Sequence, residues 1–442
     1  MVFRLRLLLR LRFIKEISCS LCCTCILLFG VVPLLFSQSE TQDAVEEQES
    51  NSAQVWHKKL GTKNTWEKVI SFPGEVIYLP LKLTFKLGAE SIGFVSEKKV
   101  IPRIHDFLTS DDGRRGVLPT YAARTGGGVN IFQKGLISSE SKLTLSLTAG
   151  LKGRQRYQLQ FKRVALFGEA LSSDFLVRYQ LLSDESFFGI GQDSDKDDES
   201  NFAHEQATAQ AAFGTKFSDR ISLDAIFGFD LNDISEGKDK SIRSTTNLPN
   251  RESLPGLEEG ISIGRLQIGI QYDSKNRPGN PTRGGEALLT AGIFQELDDD
   301  QFGFWKLSAD LAYYLHLFYN RAIALRVAGE VTEPLSDREI PFYYLSELGR
   351  QETIRGFSRG RFRDRDMVLG SVEYRYPIHR VVDAMFFVDV GQVAGDIFSD
   401  FSTDDLEVGY GGGVRIWGSE GLISTFVVGK SSDGFRFYFG LN

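Results

Sequence analysis

Beyond Cys25 this 442-residue chain has no cysteine; its four (Cys19, Cys22, Cys23 and Cys25) fall in one apolar stretch near the start. Their spacing could suggest a metal site, but no histidine lies near them and the surroundings are membrane-apolar, which weighs against it. After residue 36 no run reaches 18 apolar residues, so a helical membrane protein is excluded. An excess of positive charge is missing too. The chain carries a net −7, and removing a leader with five basic residues and one acid leaves it near −11. Phosphate binding needs a basic face, so nucleic acid is disfavoured as a partner.

What is present begins with a targeting signal. Arg4, Arg6, Arg10, Arg12 and Lys15 form a basic head, and Ile17 to Phe36 an apolar core before Ser37-Gln38-Ser39. Residues 1–37 are therefore expected to be a signal peptide, with an uncleaved anchor helix as the rival. No cysteine sits behind the small-residue pattern of a lipoprotein signal. A cysteine-free mature chain cannot be trapped in wrong disulfides while crossing an oxidising compartment, which fits export. Residues 38–75 open with an acidic, apolar-poor stretch and are expected to be a disordered periplasmic extension. Residues 76–120 offer a candidate first strand at Val76 to Leu87, then short helices between Ile92 and Leu108.

From Tyr121 to Asn442 the hydrophobic period is two. Tyr157, Leu159, Phe161, Ala165 and Phe167 share one face against Arg156, Gln158, Gln160 and Lys162, with Arg163 the one exception. Trp305, Leu307, Ala309, Leu311 and Tyr313 likewise oppose Lys306, Ser308 and Asp310. Soluble-sandwich strands average about five or six residues. Several here run past ten, the length a tilted membrane-crossing strand needs. Connections at 431–434, 396–405, 334–365, 298–302, 234–259 and 185–202 should share one side, and the mostly shorter ones at 418–421, 379–382, 319–321, 274–283 and 217–220 the other. That asymmetry is expected of a bacterial barrel with its longer loops outside. Fifteen strands are counted from Tyr121 onward; even-numbered closure makes Val76 to Leu87 the candidate sixteenth. The expected fold is an all-β transmembrane antiparallel barrel of 16 strands over 121–442.

The most informative segment is Leu348 to Ile378, centred on Ile354-Arg355-Gly356-Phe357. Alternation around it turns Glu373 into the lumen, and a lipid-facing Asp389 on the next strand would be costly, so it belongs inside as well. Two like charges that close need a cation. Arg355 offers a permanently charged planar fork to carboxylate oxygens. The plainer reading leaves Arg355 in a solvated exterior loop.

These residues resemble the BamA/TamA family of outer-membrane assembly factors (the bacterial surface antigen superfamily). Its Arg-Gly-Phe/Tyr motif lies in the loop between the eleventh and twelfth strands. The resemblance implies that Arg355, Gly356 and Phe357 enter the barrel and that the arginine contacts Glu373 and Asp389. Further matches are Tyr272-Asp273-Ser274, Asn280-Pro281-Thr282-Arg283-Gly284-Gly285 and Gly370-Ser371-Val372-Glu373-Tyr374. They cover 260–442 firmly and 121–259 by pattern. Two departures stand out. Family members that insert or secrete proteins carry periplasmic POTRA domains, and between Gln38 and Val76 there is no room for one, so the barrel domain alone is expected. The chain also ends in Asn442 rather than an aromatic.

Enzyme-like motifs fit poorly. Gly260-Ile261-Ser262-Ile263-Gly264 has the G-x-S-x-G form but opens a strand, with no histidine before His316. Asp193, Asp195 and Asp197 imitate a calcium loop, yet Asp198 stands where glycine is required and His204 where the closing glutamate belongs. Gly126-Gly127-Gly128 and Gly411-Gly412-Gly413 lack the lysine of a phosphate loop and read as strand kinks. No enzyme activity, cofactor or metal is expected. The resemblance implies non-catalytic handling of protein or lipid at the bacterial cell outer membrane by a monomer, with outer-membrane lipid and unfolded polypeptide or lipid substrate as partners. The alternatives are a passive or gated pore and a surface-exposed binding or structural protein.

Overall fold

Wherever polar and apolar residues alternate, the chain forms a long strand, because a strand sends successive side chains to opposite faces. The computed structural model describes residues 107–442, apart from 123, 165–170, 250–252, 258–259, 319, 380–381, 419–420 and 442. Sixteen strands carry the fold. They are β1 Arg115–Ala122, β2 Gly126–Lys134, β3 Lys142–Ala149, β4 Gln155–Val164, β5 Ser172–Phe187, β6 Ser200–Lys216, β7 Ile221–Glu236 and β8 Ile261–Asp273. After them come β9 Gly284–Glu296, β10 Gly303–His316, β11 Ala322–Pro334, β12 Asp366–His379, β13 Val382–Ala394, β14 Glu407–Gly418, β15 Gly421–Ser431 and β16 Gly434–Leu441. Each pairs antiparallel with the next, β7 with β8 included.

Among the described residues Arg115–Ala122 completes the sixteen; Val76 to Leu87 lies outside the described residues, as do the leader, the extension and most of the Ile92–Leu108 segment.

The outward face is apolar. Ile268, Leu307, Val327, Val372 and Val388 are 48–54% exposed, the pattern of a lipid-facing band. On β10 and β11 the inward face is charged and paired. Lys306 reaches Glu330 at 2.7 Å, and Arg326 holds both Asp310 oxygens at 2.8 and 2.6 Å. Arg163, the exception in the β4 pattern, sits at a register shift between Phe161 and Val164 and takes a φ of 53°. The bulge restores the parity it appeared to break, and Val164 is buried.

At one end the connections are long, and three of them fold over the barrel together. Phe187 and Phe202 of β5 and β6, Leu254 and Leu257 of the β7–β8 connection, and Ile340 and Phe342 of the β11–β12 connection form one buried cluster. Phe342 meets Phe187 and Phe202 edge-on at 5.4 and 4.9 Å. Where the first and last strands meet, Tyr121 stands edge-on to Phe439 at 6.1 Å, and among the described residues no backbone ladder joins β1 to β16.

Candidate functional site

The β11–β12 connection is a polar segment with a short ribbon, Ser346–Leu348 paired with Phe362–Asp364. Between those arms the chain dips inward and carries Ile354, Arg355, Gly356 and Phe357 onto the inner wall. Its apolar residues anchor the descent. Ile354 and Phe357 are fully buried with Leu348, Phe362, Leu369 and Val393, and Phe357 meets Phe362 edge-on at 5.2 Å.

Arg355 lies across the strand pair that bears the two predicted carboxylates. Nε and Nη2 donate to Asp389 Oδ2 and Oδ1, both at 2.7 Å, and Nη1 donates to Glu373 Oε2 at 2.9 Å. Its backbone N–H donates to Asp389 at 3.1 Å, and its guanidinium lies flat over the Phe387 ring at 3.6 Å. Register explains the convergence: Asp389 is opposite Ser371, Glu373 opposite Phe387, and all four side chains share one face. Ser371 completes the shell by donating to Asp389 at 2.6 Å. Burial works against the Arg355 charge, but the hydrogen bonds and charge of Asp389, then Glu373, outweigh it and hold its pKa above the ordinary value.

Glycines let the backbone reach the wall. Gly356 has φ +105°, a region side chains disfavour. A Cβ at Gly409 would lie 1.9 Å from the Arg355 carbonyl oxygen, and one at Gly429 only 2.6 Å from the Gly356 nitrogen. Gly356 N–H donates to the Tyr438 hydroxyl at 2.9 Å, that hydroxyl donates to the Phe357 carbonyl at 3.1 Å, and Ser431 donates to the Gly356 carbonyl at 2.8 Å. Arg355, Gly356 and Phe357 of the connection are therefore brought together with Glu373 of β12 and Asp389 of β13, against the wall formed by β12 to β16.

The contacts extend in two directions. Glu373 also accepts from Arg375 at 2.8 Å, which reaches the Pro281 carbonyl at 3.4 Å, while Asn280 donates to Asp383 at 3.0 Å. The Asn-Pro-Thr-Arg-Gly-Gly segment thus folds under β12–β14, a role its residue types did not reveal. Toward the long-loop end, Arg361 pairs with Asp433 at 2.7 Å and also holds Ser194, while Arg363 pairs with Glu347 and donates to the Phe342 carbonyl at 3.0 Å. Sequence reasoning missed these two arginines. Their spacing of two along an alternating segment was the available signal.

The enzyme-like motifs take other places. Ser262 lies within β8, opposite Leu231 of β7, without the turn into a helix that a nucleophile elbow requires. Asp195 caps a single 3-10 turn by accepting from the Asp197 N–H at 2.9 Å.

The family model described as the Omp85 superfamily domain matches residues 140–441. No curated protein matches. Among solved structures, BamA from Haemophilus ducreyi lacking POTRA domains 1–3 is similar with a TM-score of 0.52 at 17% identity, over 73% of this chain and 68% of that one. CdiB from Acinetobacter baumannii gives a TM-score of 0.47 at 10% identity, over 74% of this chain and 64% of that one. CdiB from Escherichia coli gives 0.45 at 10%, over 73% and 61%. The chain spans less than two thirds of either CdiB. The BamA likeness shows the fold, a sixteen-stranded antiparallel barrel.

Proposed function

The chain belongs to the Omp85 superfamily, and from that premise we propose that it is a bacterial outer-membrane barrel that handles unfolded polypeptide without covalent chemistry. The observation that carries this reading is the contrast between two parts of the wall. Strands β12 to β16 are held from inside by the Arg355 loop, whereas β1 and β16 meet through the Tyr121–Phe439 ring contact. An edge strand presents unpaired N–H and C=O groups, a template for an extended segment of another chain. A rigid wall beside a loosely held edge suits the passage of such a segment from lumen to membrane. Arg355, Gly356 and Phe357 with Glu373 and Asp389 act here as a lock that keeps the wall in shape.

Depleting the protein and profiling the outer-membrane proteome and lipids tests this. A fall in a subset of outer-membrane proteins is expected. An unchanged proteome with altered lipids would move the substrate to lipid, and no change in either would end the proposal. The pore reading is separated by planar-bilayer recording, where a lumen crossed by the loop gives small erratic currents and an open pore large steady ones.

A further inference from the structure

The lumen wall opposite the Arg355 loop has a different chemistry. On β4 the inward positions are Arg156, Gln158 and Gln160, and opposite them on β5 are Gln180, Arg178 and Leu176. Arg156 is paired with Gln180 and Gln158 with Arg178, so the two arginines are diagonal neighbours on one face. Inward positions of the preceding strand, Thr144, Ser146 and Thr148, add no acid.

Arginine on a lumen wall normally finds a carboxylate, as Arg326 and Arg355 do. Here the acids are engaged elsewhere. Glu185 pairs with Arg124, Asp184 with Arg154 and Lys152, and Asp230 with Arg265 at 2.8 Å while accepting from Thr208 at 2.7 Å. Arg178 donates to Gln206 and Thr208, at 3.4 and 3.3 Å, and makes no ion pair among the described residues, with Asp230 lying behind Thr208. Among the described residues Arg156 has no ion-pair or hydrogen-bond partner, and the Nε atoms of Arg156 and Arg178 are buried and unpaired. A third cation comes from the inward loop itself. The chain at Gly360 passes close to Ser186 of β5, which brings Arg359 toward Arg124 and Glu185. Arg359 makes no ion pair among the described residues, and burial, then the Arg124 charge, lowers its pKa from the ordinary value. All three arginines are half-buried. Arg156 and Arg178, diagonal neighbours on a partly dry wall, repel as like charges, and an oxyanion brought between them removes that cost.

We propose that Arg156, Arg178 and Arg359 form an anion-binding track in the lumen that takes carboxylate side chains of an extended acidic polypeptide. Arginine forks match carboxylates, and the glutamines Gln158, Gln160 and Gln180 between them offer donor and acceptor pairs to a peptide backbone. Apart from Leu176, the inward positions beside the two wall arginines are polar, which favours a peptide over a lipid with acyl chains to bury. Since one cation rides on the loop and two on the wall, a bound acidic segment ties the loop to β4 and β5. The proposal deepens the polypeptide-handling reading and rests on it.

The test uses the full chain in detergent micelles with a fluorescein-labelled oligoglutamate peptide, read by anisotropy, with an oligolysine peptide and inorganic phosphate as competitors. Oligoglutamate is expected to bind with an affinity that falls as salt rises, and oligolysine is not. The double variant Arg156→Gln/Arg178→Gln should bind about tenfold or more weakly, as loss of two charge-assisted contacts requires, while its heat-modifiable migration in SDS gels stays that of wild type. If that variant does not fold, Arg359→Gln alone serves the same comparison. Equal binding by a folded variant, binding of oligolysine, or binding of phosphate without the peptide would each overturn the proposal. A normal outer-membrane proteome after depletion alongside intact peptide binding would instead defeat the general assembly role.

Discussion

Arg355 meets Asp389 with three hydrogen bonds: two from the guanidinium edge at 2.7 Å to separate carboxylate oxygens and one from its own backbone N–H at 3.1 Å. One residue thus fixes both its side chain and its main chain to the same acid. Asp389 is wholly shielded from solvent, so its charge has no water to fall back on. The pair is a point of commitment in the fold, and weakness there should be felt along the whole loop.

Glycine at 409 should be as necessary as the arginine. Gly409→Ala places a methyl where the Arg355 carbonyl oxygen sits, and the neighbour is backbone, so the loop must lift. We expect a destabilisation of about 1–3 kcal/mol, the usual range for overpacking. Limited proteolysis within 350–361 should accelerate, whereas Gly440→Ala, which meets nothing, should leave the digestion pattern unchanged.

The second arginine of the loop also carries weight. Arg361 and Asp433 are nearly shielded and 2.7 Å apart. Arg361→Ala strands the Asp433 carboxylate and should cost about 3–5 kcal/mol in a dry site, less where lumen water screens it. The double variant Arg361→Ala/Asp433→Ala should recover part of that loss. Unfolding midpoints for the two singles and the double give the coupling, and strict additivity would show that the pair contributes nothing.

Acid should loosen the loop through Glu347. Burial alone would raise this carboxyl's pKa, but the Arg363 guanidinium, then Arg350, more than offset it and hold it below its ordinary 4.5. A folded pKa below the unfolded one gives stability that is fully present above about pH 4.5 and is lost as pH falls through the folded value. Glu347→Gln should therefore lower the unfolding temperature at pH 7 and narrow its gap from wild type at low pH. A gap that stays constant with pH would refute the assignment.

The seam offers a covalent test. Tyr121 and Phe439 face each other across β1 and β16, and no native cysteine follows residue 25. In Tyr121→Cys/Phe439→Cys, oxidant should form a disulfide, seen as a reductant-sensitive gel shift, and should arrest the polypeptide-handling activity proposed here. Full activity in the cross-linked form would remove the seam from that reading.

Much of this was legible from alternation alone. Trp305, Leu307 and Lys306 fell on the faces their parity required, and Glu373 and Asp389 could be turned inward because a charge facing lipid is costly. Other features depend on contacts that no local pattern carries. The close approach of Gly409 and Gly429 to the loop is set by residues more than fifty positions away, so Gly411-Gly412-Gly413 nearby read only as kinks. Arg163 looked like an error in β4 because a bulge changes parity without leaving a mark in residue type. Arg115 to Ala122 is hard to read as a strand because it is short and opens with polar residues.

The account stands or falls on the grip of Arg355. The most direct test compares wild type, Arg355→Lys and Arg355→Ala by the temperature at which folded barrel converts to the unfolded band in SDS gels. Leaving the buried Asp389 unpaired costs about 3–5 kcal/mol where water is excluded. Arg355→Ala should therefore convert at a clearly lower temperature, with Arg355→Lys between, since it keeps the charge but not the fork. Identical conversion of all three, with unchanged proteolysis of residues 350–361, would contradict the claim that this arginine holds the wall.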